Sequence, residues 1–384
     1  MCLPQASPPH AAPVPPASTA AGVSAARSDC HTPAQGAAPL LALEGLSVFF
    51  RTDQGLLPAV QGLSLQVAAG AATCLVGESG CGKSLTARAV LRLLPENAVQ
   101  RGRVLLEGTD LAACTGRELR RVRGRRVGMV FQEPMTALNP VLTVGSQVAE
   151  PLRLHLRLPR AAARREATAL LAEVGIPDPH SRYNDYPHQL SGGLRQRICI
   201  AMAMVLHPEF LIADEPTTAL DVTVEAQILA LMKHLQQKNH TSILMITHNL
   251  GVVADICDEV NVMYAGQIVE HAQKAELFRH PAHPYTQGLM KAVPRIHGDN
   301  RGELFTIEGT VPPLRAELPG CRFAERCPYA TQQCRTQAPQ LRIWGTAIWF
   351  AASERRIPNE QGSSESGAPE KVFQKSPRHG KGSG

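Results

Sequence analysis

The eight residues Gly77-Glu78-Ser79-Gly80-Cys81-Gly82-Lys83-Ser84 constrain this chain more than any other stretch, because they satisfy G-x-x-x-x-G-K-S at every fixed position. The pattern also has the context it needs. The apolar run Ala72 to Val76 precedes it and predicts a short buried strand; Leu85, Ala89, Leu93 and Leu94 follow at helical spacing. Glycines let several backbone N–H groups converge on one phosphate, and a helix opening at Lys83 directs its positive end to the same place. Lys83 then suits the β- and γ-phosphates, and the Ser84 hydroxyl suits magnesium. The alternative is a glycine-rich turn that binds nothing.

At 384 residues the chain has room for two or three domains. Residues 1–39 are Ala-, Pro- and Ser-rich without periodicity, and residues 353–384 are Gly, Ser, Glu and Lys with few apolar side chains. Neither can bury enough surface to offset its ordering entropy, so both are expected to be disordered tails. The first shows no basic start followed by an apolar core, so no secretory signal is expected, and no run approaches the ~18 apolar residues of a spanning helix. A soluble protein is the expectation. The formal net charge is +6, yet Arg117 to Arg126 holds six arginines in ten residues. Aromatic stacking residues are not interleaved there, so a solvated helix face is expected and no nucleic-acid partner. Of the ten cysteines, Cys74, Cys199 and Cys257 lie in apolar segments, which suggests a reducing compartment.

Upstream of the loop, Leu46, Val48 and Phe50 alternate with Ser47 and Phe49, and Leu63, Leu65 and Val67 alternate again after Asp53-Gln54-Gly55. This predicts antiparallel strands. Phe50 could stack on a purine or serve as a core or edge aromatic. Val104 to Leu106 and Val127 to Phe131 predict two further strands, the second ending at Gln132-Glu133-Pro134, where Gln132 could reach a metal or an attacking water. From Val144 to about Val174 the periodicity turns helical. That segment closes at Leu190-Ser191-Gly192-Gly193-Leu194-Arg195-Gln196, a second helix start suited to an anion, with Ser191 as its cap. Phe210 to Glu215 is a buried strand delivering two acids to its carboxyl end: Asp214 for magnesium, Glu215 to orient or deprotonate water. Ile243 to Ile246 is another such strand, ending in Thr247-His248-Asn249, where His248 could sense a γ-phosphate or be merely structural.

Taken together, these segments resemble the nucleotide-binding subunit of an ABC transporter over roughly Leu41 to Met290. Gly77 to Ser84 resembles the Walker A loop, Gln132 the Q-loop, Leu190 to Gln196 the signature, Phe210 to Glu215 the Walker B strand, Ala219 to Asp221 the D-loop and His248 the switch histidine. Phe50 stands where the family's adenine-stacking aromatic would be. The resemblance implies an α/β fold: a P-loop NTPase core with an antiparallel β subdomain, an inserted helical subdomain at about 140–205, and a small Cys-containing C-terminal extension. The cassette would occupy 40–293 and the extension 294–352. Glu215, His248 and Gln132 are the implied catalytic residues; Ser84, Gln132 and Asp214 would hold Mg²⁺; Phe50, Gly77 to Ser84, and a facing subunit's Ser191, Gly192, Gly193, Gln196 and Asp221 would surround ATP.

A narrower resemblance, to dipeptide and oligopeptide importer ATPases, rests on Phe131 to Pro140, Thr218 to Val224, His283-Pro284-Tyr285-Thr286 and Gly320 to Cys327. It implies a second, distinct ATPase subunit, two membrane permease subunits, a substrate-binding protein, and a peripheral position on the cytoplasmic face of the cell membrane. Relatives importing nickel, glutathione or antimicrobial peptides share parts of these motifs. Translation-associated ABC ATPases usually carry two cassettes, and DNA-repair or chromosome-organising ones need a coiled coil or zinc insertion; this sequence has one phosphate loop and neither insertion. The peptide-importer resemblance also implies four cysteines holding a four-iron four-sulfur cluster. Cys321, Cys327 and Cys334 match three, and Ile348 stands at the best-aligned fourth position. The remaining options are a labile or three-iron cluster, a zinc ion with an open position, or three reduced thiols in a folded cap.

Overall fold

The computed structural model describes residues 38–53, 55–293, 305–312, 319–339, 341–344 and 348–351; the two predicted tails, Ala38 and Pro39 apart, lie outside the described residues. Its strands are β1 (Leu41–Thr52), β2 (Gly55–Val67), β3 (Ala72–Val76), β4 (Ala98–Leu106), β5 (Thr109–Asp110), β6 (Val127–Val130), β7 (Phe210–Asp214), β8 (Ser242–Thr247), β9 (Glu259–Tyr264), β10 (Gln267–Gln273), β11 (Leu341–Trp344) and β12 (Ile348–Ala351). They form two sheets. A four-stranded antiparallel sheet has the order β2-β1-β4-β5, and an eight-stranded one the order β11-β12-β10-β9-β3-β8-β7-β6.

The large sheet explains why its central strands read as unbroken apolar runs. In β7, Leu211 and Ala213 belong to one core while Phe210 and Ile212 belong to the other; in β8, Ile243 and Met245 divide in the same way from Leu244 and Ile246. Successive side chains point to opposite faces, so a strand covered on both sides has no polar face to show. Helix α1 (Lys83–Val90) and the antiparallel sheet cover one face, through Ala87, Val90, Leu43, Leu46, Val48 and Val104. Each of the Val and Leu side chains, fully buried, contributes about 1.5–3 kcal/mol.

The other face carries the predicted helical excursion. A capping box between Thr115 and Glu118 starts α2 (Gly116–Val122), ahead of β6. After β6 come α3 (Pro134–Ala137), α4 (Val144–His155), α5 (Arg160–Glu173), α6 (Pro179–Arg182) and α7 (Gly192–Met204), and then β7. Because β6 and β7 are parallel neighbours, with Val127 opposite Phe210, everything from Phe131 to Glu209 is one crossover from the carboxyl end of β6 to the amino end of the adjacent strand. Thr143 caps α4 by accepting the Ser146 N–H, and Pro159 stands at the N-cap of α5. Helices α8 (Val222–Asn239) and α9 (Leu250–Ile256) complete this layer with Ile228, Met232, Leu235, Val252 and Val253. The arginine run begins within α2, at Arg117, and continues to β6; Arg123 donates to the Leu91 carbonyl and Arg126 pairs with Glu107 and Glu209.

Three short helices follow the parallel core: α10 (Lys274–Arg279), α11 (Pro284–Ala292) and α12 (Gln332–Thr336). The C-terminal segment is more than the small cap that the cysteine spacing suggests. β12 pairs antiparallel with β10, Glu270 opposite Phe350, and β11 pairs with β12, so the chain's last described residues extend the large sheet. Ile348, at the position expected for a fourth cysteine, is the first residue of β12. Among the described residues, no helix is long and apolar enough to cross a membrane.

Candidate nucleotide site

The phosphate loop joins the carboxyl end of β3 to α1, as its flanking periodicity requires. Two of its glycines are fixed by close approach. A Cβ on Gly77 would lie 2.1 Å from the Met263 carbonyl oxygen, and Gly82 has φ +106° with the Met263 methyl 2.9 Å from its ideal Cβ. The Lys83 ammonium donates to the carbonyls of Gly77 (2.8 Å) and Glu78 (3.0 Å), and its side chain is 4% exposed. A full positive charge is thus held against the loop by its own backbone. Cys81 is buried with its sulfur 3.9 Å from Lys83 Nζ, and burial raises its thiol pKa.

The carboxyl ends of β7 and β8 bring the predicted acids and histidine to the same place. Ser84 donates to Asp214 Oδ1 at 2.8 Å, while Asp214 Oδ2 is buried with no hydrogen-bond partner. Burial raises the Asp214 carboxyl pKa, with the Ser84 hydrogen bond acting against it. A hydroxyl and an orphaned carboxylate oxygen fit a hard dication such as Mg²⁺, which takes oxygen ligands.

Glu215 is the centre of the arrangement. Its backbone has φ +47°, a left-handed conformation that costs a non-glycine residue about 1–3 kcal/mol, and its N–H is fixed to the Ile246 carbonyl at 2.9 Å. The carboxylate is gripped from three loops: Gln132 Nε2 and Thr218 Oγ1 each donate to Oε2 at 3.0 Å, and His248 Nδ1 lies 3.3 Å from Oε1. Lys83 Nζ is 3.8 Å from the same Oε1. Gly77, Glu78, Ser79, Glu215, His248 and Leu289 line a cavity of about 330 Å³ beside these groups.

The structure brings together Walker A, Gln132, Asp214, Glu215 and His248, and it keeps the signature apart. Ser191 caps α7 by accepting the Leu194 N–H, and neither it nor Gly192 or Gly193 lines the cavity. A Cβ on Gly193 would meet Val224 at 2.8 Å, which fixes that glycine through α8. Asp221 is exposed and caps α8, accepting the Val224 N–H at 2.9 Å. Gln196 is 2% exposed, and its Nε2 is buried without a hydrogen-bond partner. Phe50 is half-buried near the end of β1, opposite Leu57 and Ala98.

Four contributors escape sequence reasoning. Thr218 supports Glu215; Leu289 lines the cavity; the Tyr285 hydroxyl accepts the Glu78 N–H at 2.9 Å; and Arg326 pairs with the Glu78 carboxylate. Tyr285 and Arg326 sit in the two C-terminal motifs, but their spacing carries no sign of the loop they touch. In the extension, the Cys321 N–H donates to the Cys334 carbonyl at 2.7 Å, and burial raises the Cys321 and Cys327 thiol pKa values. Among the described residues, no three His, Cys, Asp or Glu side chains converge as a metal-ligand set.

A phosphate loop, a carboxylate held over it and a helical excursion between adjacent strands define an ATPase cassette of the ABC type. The ABC transporter family profile matches residues 60–218, and that of the oligopeptide/dipeptide transporter C-terminal region matches residues 269–334. The chain is 47% identical to the dipeptide transport ATP-binding protein DppD of Bacillus subtilis (strain 168), over 79% of its own length and 94% of that protein's. It is 51% identical to a putative peptide import ATP-binding protein of Brucella abortus (strain 2308), over 79% and 93%. A dimeric post-hydrolysis structure of the ATP-binding cassette MJ0796, bound to ADP and Pi, superposes with a TM-score of 0.55 at 25% identity, covering 61% of this chain and 98% of that one. The chain belongs to the ATP-binding subunits of ABC transporters, in the group that carries the oligopeptide/dipeptide C-terminal region. Membership brings ATP and Mg²⁺ as cofactors, and a second cassette and membrane permease subunits as partners.

Proposed function

We propose that this chain hydrolyses ATP to drive a di- or oligopeptide importer, paired with a distinct second ATPase on two permease subunits at the cytoplasmic face of the cell membrane, with a substrate-binding protein delivering the peptide. The observation that carries the catalytic half is the Glu215 carboxylate, held by Gln132, Thr218 and His248 beside Lys83. Lys83 neutralises the β- and γ-phosphates, and Ser84 and Asp214 would hold Mg²⁺, which supplies further charge neutralisation. Glu215 accepts the proton of the attacking water; Gln132 and His248 fix its carboxylate so that the acceptor oxygen does not wander. Phe50 gives the adenine an aromatic surface. The peptide half is supported by the relatives' names and by the matched C-terminal region.

Ser191, Gly192 and Gly193 serve a facing subunit's phosphate, since they lie outside this chain's own cavity. Turnover should therefore rise with partner concentration. The isolated chain is expected to hydrolyse ATP slowly, and titration with the second cassette to restore it. Full activity at concentrations where sedimentation finds monomer alone would overturn the two-chain site.

For the extension we propose three reduced thiols rather than an iron-sulfur cluster. An aliphatic Ile348 offers no ligand where a fourth thiolate is expected, and losing one ligand weakens such a site severely. Anaerobic purification with iron and sulfide analysis is expected to find well under one iron per chain. About four irons with a visible absorption band would show that another group replaces the missing cysteine.

A further inference from the structure

The phosphate loop contains an acid of its own, Glu78, at the mouth of a site for a polyanion. An uncompensated carboxylate there opposes a triphosphate by simple Coulomb repulsion. Its side chain is 27% exposed, and it lines the cavity. The counter-charge comes from far along the chain. Arg326 Nη1 donates to Glu78 Oε2 at 2.7 Å and Nη2 to Oε1 at 3.1 Å, the parallel two-point pairing that gives arginine–carboxylate contacts their geometric specificity.

Arg326 is held for this contact on every side. Nε donates to the Glu308 carbonyl at 2.9 Å, Nη2 also to the Ile307 carbonyl at 3.1 Å, and Nη1 also reaches the Tyr264 hydroxyl at 3.4 Å. All five donors of the guanidinium are accounted for, on a side chain only 6% exposed. Beside it, Phe323 packs on Tyr264 and Tyr285, with centroids 5.2 and 5.4 Å away, and the Tyr285 hydroxyl accepts the Glu78 N–H. The extension thus engages both the backbone and the carboxylate of one loop residue. A contact that only fastened the extension to the cassette would not need to end on the phosphate loop.

We propose that Arg326 is a positioning residue of the nucleotide site: across 248 residues of sequence it neutralises and orients Glu78, so that the incoming polyphosphate meets no unpaired like charge at the loop. The inference rests on the ATP reading above and deepens it. It predicts that the C-terminal extension sets nucleotide affinity while the reacting groups, Glu215 and its partners, are untouched.

The test is a double-mutant cycle on the full-length chain, with ATP affinity read by equilibrium dialysis. Arg326→Met keeps the apolar stem over Tyr264 and removes the charge; its ATP affinity is expected to fall about tenfold, equivalent to about 1.4 kcal/mol. Glu78→Gln removes the repelling charge, and the double variant is expected to bind within about threefold of wild type, because nothing is left uncompensated. A purely structural role predicts no such rescue: melting temperatures would fall and the double variant would bind as badly as Arg326→Met. Either an unchanged affinity in Arg326→Met or a double variant about tenfold weaker than wild type would overturn the proposal. If Arg326→Met does not fold, the double variant alone decides by the same criterion. Wild-type protein that fails to bind ATP would instead sink the ATP reading, a result the cycle does not mimic.

Discussion

Glu215→Gln is expected to lower turnover by about a thousandfold, within the range for removing a positioned general base, while leaving ATP affinity within about threefold of wild type. The amide is nearly the same shape, and its oxygen can still accept the Gln132 and Thr218 hydrogen bonds that Oε2 receives. What it cannot do is take a proton. Binding rests on other groups, chiefly Lys83 and Ser84, so ATP should stay and the two cassettes should remain closed around it. The measurements are ATPase rate with the partner subunits present and gel filtration with ATP and Mg²⁺, where a stable cassette pair should appear. Wild-type turnover in the assembled variant would remove Glu215 from its role.

Lys83→Ala should do the opposite and remove binding itself. The ammonium is nearly inaccessible to solvent and is fixed by two loop carbonyls, so its position is set before any nucleotide arrives. Hydrogen bonds to charged groups contribute about 1.5–3 kcal/mol each, and losing the one that the ammonium's third donor can make to the phosphates corresponds to an affinity loss of about 10- to 10²-fold. The substitution also strips Glu215 of the cation 3.8 Å away, which adds a second acid facing the polyphosphate. Equilibrium dialysis against ATP checks the outcome; an affinity within threefold of wild type would mean that the loop's backbone amides alone hold the nucleotide.

Much of this site is legible because each part is a local pattern. β3, β7 and β8 announce themselves as apolar runs with chemistry at their carboxyl ends, and the loop's glycines and lysine lie within eight residues. The helical excursion is legible too, from the change of period after Val144. Contacts made across the chain are not. Nothing at Arg326 or Tyr285 says that its partner is Glu78, since a periodic pattern reports burial and not the identity of a distant neighbour. The strands β11 and β12 are missed because two four-residue elements carry too little pattern to distinguish from a cap.

The pairing of β6 with β7 also has an entropic side. Gln132 and Glu215 are 83 residues apart in sequence. Closing a flexible loop of that length costs about 4 kcal/mol on logarithmic scaling, more than one hydrogen bond between them returns. The ends can meet cheaply only because α4, α5 and α7 form a packed body between them that shortens the effective loop to a few residues at each junction. The helical subdomain is therefore a thermodynamic spacer as well as an insertion: loosening its own core, at Leu171 or Ile198 for instance, returns that entropy to the chain and weakens the contact between Gln132 and Glu215 without touching either residue.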